Sequence, residues 1–260
     1  MTGLVAELLG EAARLLPPAL RVVGLTILAP GLNFQQAPMR VRVALALGLG
    51  AVLAPVAAMG TPAVDDPLRY AGLCLVELGV GMAMGFAMAA LLEALRFGGE
   101  VLDLQIGLRA GQLYDPSTGS QSGILSTAYY MVALLLFVVV DGHHWVLRGL
   151  GASFAMVPVG GPVARSGLAG LVGDLGTSLL VLGLQVAAPV MAALLLADLA
   201  LGLVARAVPQ INVFLVGIPG KIALGLVIAA LGAPLLVPHL GRVARLMAVY
   251  LDEMLRALVG

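Results

Sequence analysis

Charged residues are scarce in this chain of 260 residues. They make up 11% of the sequence, while 61% of the residues are hydrophobic, and soluble domains carry roughly 25% charge. A water-soluble fold could not hide that much apolar surface. The composition therefore predicts a multi-helix protein that lies in, or tightly against, a lipid bilayer.

Lysine, cysteine and any excess of charge are also lacking. The formal net charge is zero, Lys221 is the only lysine, and Cys74 is the only cysteine. Without a basic patch or tail, nucleic acid is not an expected partner. A single cysteine excludes an internal disulfide framework. No polar stretch is long enough to enclose a core of its own, so we expect one membrane domain over 1–260.

Apolar runs of membrane-relevant length are present instead. They cover residues 15–29, 43–59, 70–92, 124–140, 175–197 and 222–238. A spanning helix needs about 20 residues, and several of these runs are short or interrupted. Glu77 lies in the third run, while Pro55, Pro189 and Pro234 lie in others, where proline tends to kink or end a helix. The sequence predicts an all-α membrane protein with about six apolar segments.

Two helical stretches carry patterns typical of packing. Gly81 and Gly85 lie one turn apart in the third run, which lets another helix approach closely; ordinary membrane-helix composition explains them equally well. At 240–259, an apolar face alternates with charged residues. This pattern is typical of an amphipathic helix that binds a partner or a membrane interface.

Charged residues lie on one helix face directly after the third apolar run. Glu93, Arg96, Glu100 and Asp103 are spaced by three and four residues, which places opposite charges on one side of a helix. At an apolar boundary such groups must pair or face water. The face is either a solvated helix end or a polar ladder that docks neighbouring helices.

Two further stretches are rich in residues that break helices. The stretch from Gln105 to Gly123 contains many Gly, Ser, Gln and Thr residues, and it is either a solvent loop or a re-entrant element that lines a cavity. The other stretch, 208–221, is VPQINVFLVGIPGK. Its prolines and polar residues indicate a broken helix that lines a cavity or is buried in protein.

Catalytic and metal-binding templates fit poorly. Asp115 and Asp174 resemble an intramembrane aspartyl pair, but that chemistry needs two carboxylates at depth, and Asp115 lies in a polar stretch. His143 and His144 are adjacent, so we expect them to point apart on a helix and to lie at an interface beside Trp145 rather than share a metal. We predict no enzyme, no cofactor and no metal site.

Several segments together resemble one family. GEVLDLQIGLRAGQLYDPSTGSQS, LLLFVVVDGHHWVLRGL and LADLALGLVARAVPQINVFLVGIPGKIALG follow one another in the order seen in the FliR/SctT family of type III export-gate subunits. The N-terminal APGLNFQQAPMRVRVALALGLGAVLAP fits the same family. The resemblance covers roughly 15–240, and the DGHH and GSQS segments are more similar to its flagellar branch.

This resemblance implies a non-enzymatic subunit of the flagellar export apparatus. Members of the family are built of kinked helical hairpins and assemble with P-type and Q-type subunits into a helical channel for unfolded flagellar proteins. A B-type switch subunit docks on the channel, and an A-type export subunit is a further expected partner beside membrane lipid. The implied location is the bacterial inner membrane, within the flagellar basal body.

The resemblance also assigns residues. It implies a plug-like loop at 107–123, which helps to close the pore and includes Gly107, Leu108, Arg109, Gly111, Tyr114, Asp115, Pro116 and Gly119. Independently of the resemblance, the residue patterns described above predict contacts with helices or partners from Gly81, Gly85, Glu93, Arg96, Glu100, Asp103, Pro209, Gln210, Asn212, Phe214 and Lys221.

A different class of protein stays open beside it. Secondary transporters with broken helices are also largely apolar chains that carry a few polar residues within the membrane. Such transporters often carry an internal repeat, and none is visible in this sequence.

Overall fold

Helices account for all regular structure in the residues described. The structure, a computed structural model, describes residues 2–30, 38, 40–41, 43–44, 47–50, 52, 66–108, 123–162, 168–208 and 213–259. The long helices are α1 (Thr2–Leu28), α2 (Pro67–Ile106), α3 (Ile124–Val139), α4 (Gly142–Met156), α5 (Leu168–Ala207), α6 (Val213–Gly232) and α7 (Leu236–Val259), with a 3₁₀ turn at Ala233–Leu235. The all-α prediction is confirmed.

Two helices are long and apolar enough to cross a membrane. They are α2 and the part of α5 at Gly170–Ala207. At 40 residues each, α2 and α5 measure about 60 Å at 1.5 Å per residue, twice the hydrocarbon thickness of about 30 Å. Within the described residues, the six apolar runs thus yield fewer than six clear spans.

A third possible span is broken. Helices α3 and α4 meet at an angle of 69°. Only the two helices together are long and apolar enough to cross a membrane. Asp141, between them, has a φ of 58°, a left-handed conformation that is uncommon outside glycine. The apolar run at 124–140 therefore ends in a sharp turn.

Prolines have different effects in different helices. Pro17 and Pro18 lie inside α1, and Pro189 lies inside α5. Pro219 likewise lies inside α6, so the predicted break at this proline was wrong. By contrast, α6 stops at Gly232 and Pro234 lies in the 3₁₀ turn that follows, as expected for a residue that cannot donate a backbone hydrogen bond. Pro55 lies outside the described residues.

The chain divides into two units. Unit 1 consists of Met1–Ala90, Phe137–Leu175 and Ala244–Gly260, and unit 2 of Leu91–Leu136 and Gly176–Val243. Each has its own buried apolar residues. Those of unit 1 include Val22, Leu25, Met84, Leu150 and Met254, and those of unit 2 include Leu95, Leu102, Ala133 and Leu194.

Candidate functional site

A buried ion pair lies in the interior of unit 1. The Nε of Arg21 in α1 donates to Oε2 of Glu77 in α2 at 2.7 Å, and the two side chains are 0% and 2% exposed. Arg21 Nη1 also donates to the carbonyl oxygen of Ser153 at 3.0 Å. The guanidinium lies 4.6 Å from the ring centre of Phe154, and the Gly160 amide donates to Glu77 Oε1. We call these five residues the Arg21 centre.

Such a pair is costly to break. Two charges in an apolar interior are tolerated when they neutralise each other and when further hydrogen bonds satisfy them. Arg21 Nη2 is the one buried side-chain nitrogen or oxygen, among the described residues, that has no hydrogen-bond partner. The Arg21 centre therefore links α1, α2 and α4 of unit 1 through electrostatics as well as packing.

Sequence reasoning found only half of this centre. Glu77 stood out as a charge within an apolar run, whereas Arg21, inside the run at 15–29, was not singled out. The signal was available, because a charge in an apolar run requires a partner. Two such residues of opposite sign in neighbouring runs could have been paired.

The two predicted packing glycines of α2 face α1 beside the Arg21 centre. A Cβ at Gly81 would meet the carbonyl oxygen of Arg21, and one at Gly85 would lie 2.7 Å from the carbonyl oxygen of Leu25. Gly24 of α1 likewise faces the backbone of Leu78. The two backbones are thus close enough that only glycine fits between them.

In unit 2, Asp103 holds the start of α3. Its carboxylate is fully buried and accepts hydrogen bonds from the amides of Leu125, at 3.0 Å, and Ser126, at 2.9 Å. The first amides of a helix have no partner within the helix, and a carboxylate there also complements the helix dipole. Asp103 therefore joins the last turn of α2 to the first turn of α3.

The other charges on the predicted polar face of α2 pair along the helix. Arg96 lies 3.5 Å from Glu93 and 3.8 Å from Glu100, and it also lies 5.8 Å from the ring centre of Tyr130 in α3. These side chains are about a third exposed. The face was expected to be either a solvated helix end or a ladder that docks neighbouring helices, and it has features of both. Asp103 binds the start of α3, while the remaining charges lie at a partly solvated surface.

The predicted plug-like loop is described only at its ends. Gly107 has a φ of 90°, and its amide donates to the carbonyl oxygen of Leu104, while the Leu108 amide donates to the carbonyl oxygen of Asp103. The other predicted members, Arg109, Gly111, Tyr114, Asp115, Pro116 and Gly119, lie outside the described residues. Both described ends of the loop therefore contact Asp103.

A second polar group in unit 2 contains Lys221. Its Nζ lies 2.8 Å from both carboxylate oxygens of Asp198 in α5, and Gln105 of α2 donates to the same carboxylate at 3.4 Å. Pro209, Gln210 and Asn212 lie outside the described residues. Phe214 lies in α6; its side chain is not described. Asp198, which the sequence did not single out, is the acceptor that ties α2, α5 and α6 together.

The expectation that His143 and His144 point apart was wrong. Their ring centres are 4.2 Å apart, because both rings turn back towards Asp141. His143 Nε2 and His144 Nδ1 lie 3.9 and 3.4 Å from Asp141 Oδ1. All three residues offer a ligand atom within 4.8 Å of the others and are partly or fully exposed, so they could approach a cation together.

The part of the amphipathic C-terminal helix that belongs to unit 1 packs within that unit. Met247, Tyr250, Met254 and Leu258 of α7 are all buried, and the Tyr250 hydroxyl donates to the carbonyl oxygen of Asp174. This apolar face, expected to bind a partner or a membrane interface, is thus covered by unit 1 itself. A Cβ at Gly149 of α4 would meet the Leu251 side chain, which shows how closely α4 and α7 approach.

Comparison with known proteins agrees with the resemblance seen in the sequence. The family described as "Bacterial export proteins, family 1" matches residues 12–247. The flagellar biosynthetic protein FliR of Escherichia coli K12 is 34% identical over 224 residues, which cover 85% of this chain and 84% of that protein. The same protein of Pectobacterium carotovorum is 30% identical over the same shares.

A relative from another bacterium shows the same similarity. The flagellar biosynthetic protein FliR of Bacillus subtilis is 35% identical over 169 residues, 64% of this chain and 65% of that protein. The match is therefore spread over most of the chain and extends to distant bacteria. From α1 to the middle of α7, this chain belongs to bacterial export proteins, family 1, the family that includes the FliR proteins.

Proposed function

We propose that this chain is a non-enzymatic subunit of the flagellar type III protein export gate, in the bacterial inner membrane within the basal body. With P-type and Q-type subunits it would form the channel through which unfolded flagellar proteins leave the cell. B-type and A-type subunits are the further partners that we propose. Family membership and the names of the relatives support an export role.

The observation that carries the proposal is the exposed apolar surface along α5. Large apolar side chains along this helix are at least 44% exposed at Val172, Val181, Leu196, Leu203 and Val204. Only a third of the most apolar window of α5 is buried. Exposed apolar surface of this extent marks contact with lipid or with another protein.

The length of this exposed surface favours protein partners over lipid alone. Its first and last members, Val172 and Val204, are about 48 Å apart along the path of the helix at 1.5 Å per residue. A helix tilted by 40°, the upper end of the usual range, crosses about 30 Å of hydrocarbon within about 39 Å. Part of the exposed apolar surface would therefore lie beyond the hydrocarbon, where other subunits would have to cover it.

A plug role for the segment at 107–123 rests on its composition and on its anchoring. The segment is rich in glycine and serine, which permits alternative backbone paths, and Asp103 contacts the chain at both ends of it. We propose that the segment closes the channel at rest and that an arriving substrate chain displaces it.

Deletion of residues 109–122 tests the plug role. In cells with an otherwise assembled gate, we expect a higher leakage of ions and small molecules through the inner membrane. A variant in which the same fourteen residues are scrambled controls for loop length. Unchanged permeability of the deletion variant, with the gate assembled, would refute the plug proposal.

Secretion assays test the function itself. Removal of this chain from a flagellated host should leave flagellar proteins inside the cells and absent from the culture supernatant, and expression of the chain from a plasmid should restore their secretion. Normal secretion without the chain would contradict the proposal.

A solute transporter remains the second candidate, because the 69° break between α3 and α4 is typical of discontinuous transporter helices. The two functions are distinguishable with purified protein. A transporter should move solute when it is reconstituted alone into liposomes, whereas an export-gate subunit should be inert without its partners.

A further inference from the structure

An apolar groove lies between α4 and α7 in unit 1. Its volume is ≈ 240 Å³, and Met88, Val146 and Leu251 are among its buried lining residues. Its exposed lining residues include Trp145, Arg148, Ala152 and Ala248. The groove is separate from the Arg21 centre, and no part of the proposed export mechanism uses it.

The dimensions of the groove fit a single alkyl chain. Its volume exceeds that of the ~150 Å³ cavity that admits benzene and falls below the roughly 300–1,000 Å³ of pockets for drug-sized ligands. From Trp145 to Met156, its lining extends along α4 for about 16 Å.

The charges around the groove favour an anionic headgroup. Asp252 lines the groove, but its carboxylate is neutralised by Arg256 at 2.8 Å. Arg148 also lines the groove, is exposed, and forms no ion pair within the described part of the chain. The guanidinium of Arg148 is therefore an unneutralised positive charge beside an apolar groove. Trp145, 43% exposed, is the residue type that prefers the headgroup level of a membrane.

We propose that this groove binds one acyl chain of an anionic phospholipid, with the phosphate on Arg148. The buried apolar residues hold the chain, and the guanidinium forms a charge-assisted hydrogen bond with the phosphate oxygens.

Photolabelling tests whether an acyl chain occupies the groove. The full-length chain is reconstituted into vesicles of phosphatidylglycerol and phosphatidylcholine, with a trace of phosphatidylglycerol that carries a diazirine on one acyl chain. After irradiation, mass spectrometry should find the label on groove residues of α4 and α7. Ala152→Trp and Ala248→Trp, which fill the groove from opposite walls, should each reduce this label to background.

Matched controls separate the groove from the general lipid surface. Ala155 and Val249 are exposed on the same two helices but do not line the groove, so Ala155→Trp and Val249→Trp should keep the label. Size-exclusion chromatography shows whether each variant is folded. Labelling that survives in folded Ala152→Trp and Ala248→Trp would overturn the proposal, as would a wild-type chain that is unlabelled in the groove.

The headgroup preference tests the role of Arg148. One basic residue near a membrane surface is worth about fivefold in affinity for anionic lipid, so Arg148→Gln should reduce the preference for phosphatidylglycerol over phosphatidylcholine by about that factor. Arg148→Lys should retain it, and so should Arg245→Gln, since Arg245 is exposed on α7 outside the groove. An equal preference in wild type and Arg148→Gln would overturn the assignment of the phosphate to Arg148.

Discussion

Arg21 and Glu77 are two charged residues in the otherwise apolar interior of unit 1. Their side chains are no more than 2% exposed. The pair need not stabilise unit 1 relative to an apolar alternative, because desolvation offsets much of the attraction. Its clearest effect is that neither residue can be replaced alone.

Replacing one partner should therefore cost more than replacing both. We expect Arg21→Met to lower the free energy of unfolding by about 3–5 kcal/mol, because it leaves the Glu77 carboxylate buried and uncompensated. Arg21→Met combined with Glu77→Met should recover most of that loss. The fluorescence of Trp145, the only tryptophan, reports unfolding in detergent micelles.

An exposed pair is the control for this experiment. Arg69 is 84% exposed and lies 3.9 Å from Asp66, so Arg69→Met should leave the stability almost unchanged. The account of the Arg21 centre is wrong if Arg21→Met unfolds at the same denaturant concentration as the wild type, or if the double variant is less stable than the single one.

The sequence predicted residue types better than it predicted partners. Composition was enough to predict an all-α protein with membrane-spanning helices. The sequence also showed Glu77 as a charged residue within an apolar run. Its partner lies 56 residues away, and such pairing depends on how helices pack rather than on local spacing. The sequence likewise placed Asp103 on a polar helix face, but it did not predict that this carboxylate would accept hydrogen bonds from the first amides of α3. His143 and His144 were misjudged because both turn towards one carboxylate.

Among helices, the close approach of α1 and α2 depends on glycine. At Gly81 a Cβ would meet the backbone oxygen of Arg21, whereas nothing lies within 4 Å of a Cβ at Gly79 on the same helix. Backbone atoms cannot move aside as a flexible side chain can. The two glycines are therefore a matched pair for testing the contact.

Gly81→Ala should destabilise the chain, while Gly79→Ala should not. Overpacking of this kind costs roughly 1–3 kcal/mol, and at Gly79 the higher helix propensity of alanine should make the change neutral or slightly favourable. Chemical unfolding of both variants measures the difference. Equal stability of the two variants would show that α1 and α2 are farther apart than described.

The junction of α2 and α3 depends on one carboxylate. Asp103→Ala removes the acceptor for two buried amides, and each orphaned buried group costs about 1–3 kcal/mol. Asp103→Asn keeps one acceptor oxygen and should lose less. Thermal unfolding measures the order of stability, which should be wild type, Asp103→Asn, Asp103→Ala.

Glu93 provides the control on the same helix face. Its side chain is 41% exposed, so Glu93→Gln should have little effect on stability. If Asp103→Ala is no less stable than Glu93→Gln, then Asp103 does not hold the start of α3.

The molecule as a whole is a component of the bacterial flagellar export apparatus, as its family membership shows. The exposed apolar surface of α5 agrees with contact to lipid or to other subunits. Its polar groups, the Arg21 centre, Asp103 and the pair of Asp198 with Lys221, connect helices within single units.

Co-purification tests this account most directly. The tagged chain is expressed together with P-type and Q-type subunits from the same bacterium, extracted in mild detergent and imaged by cryo-electron microscopy. We predict a single particle that contains all three subunits, with part of the exposed apolar surface of α5 covered by a neighbouring subunit. A chain that elutes alone and moves solute by itself, while the P-type and Q-type subunits assemble without it, would contradict the account.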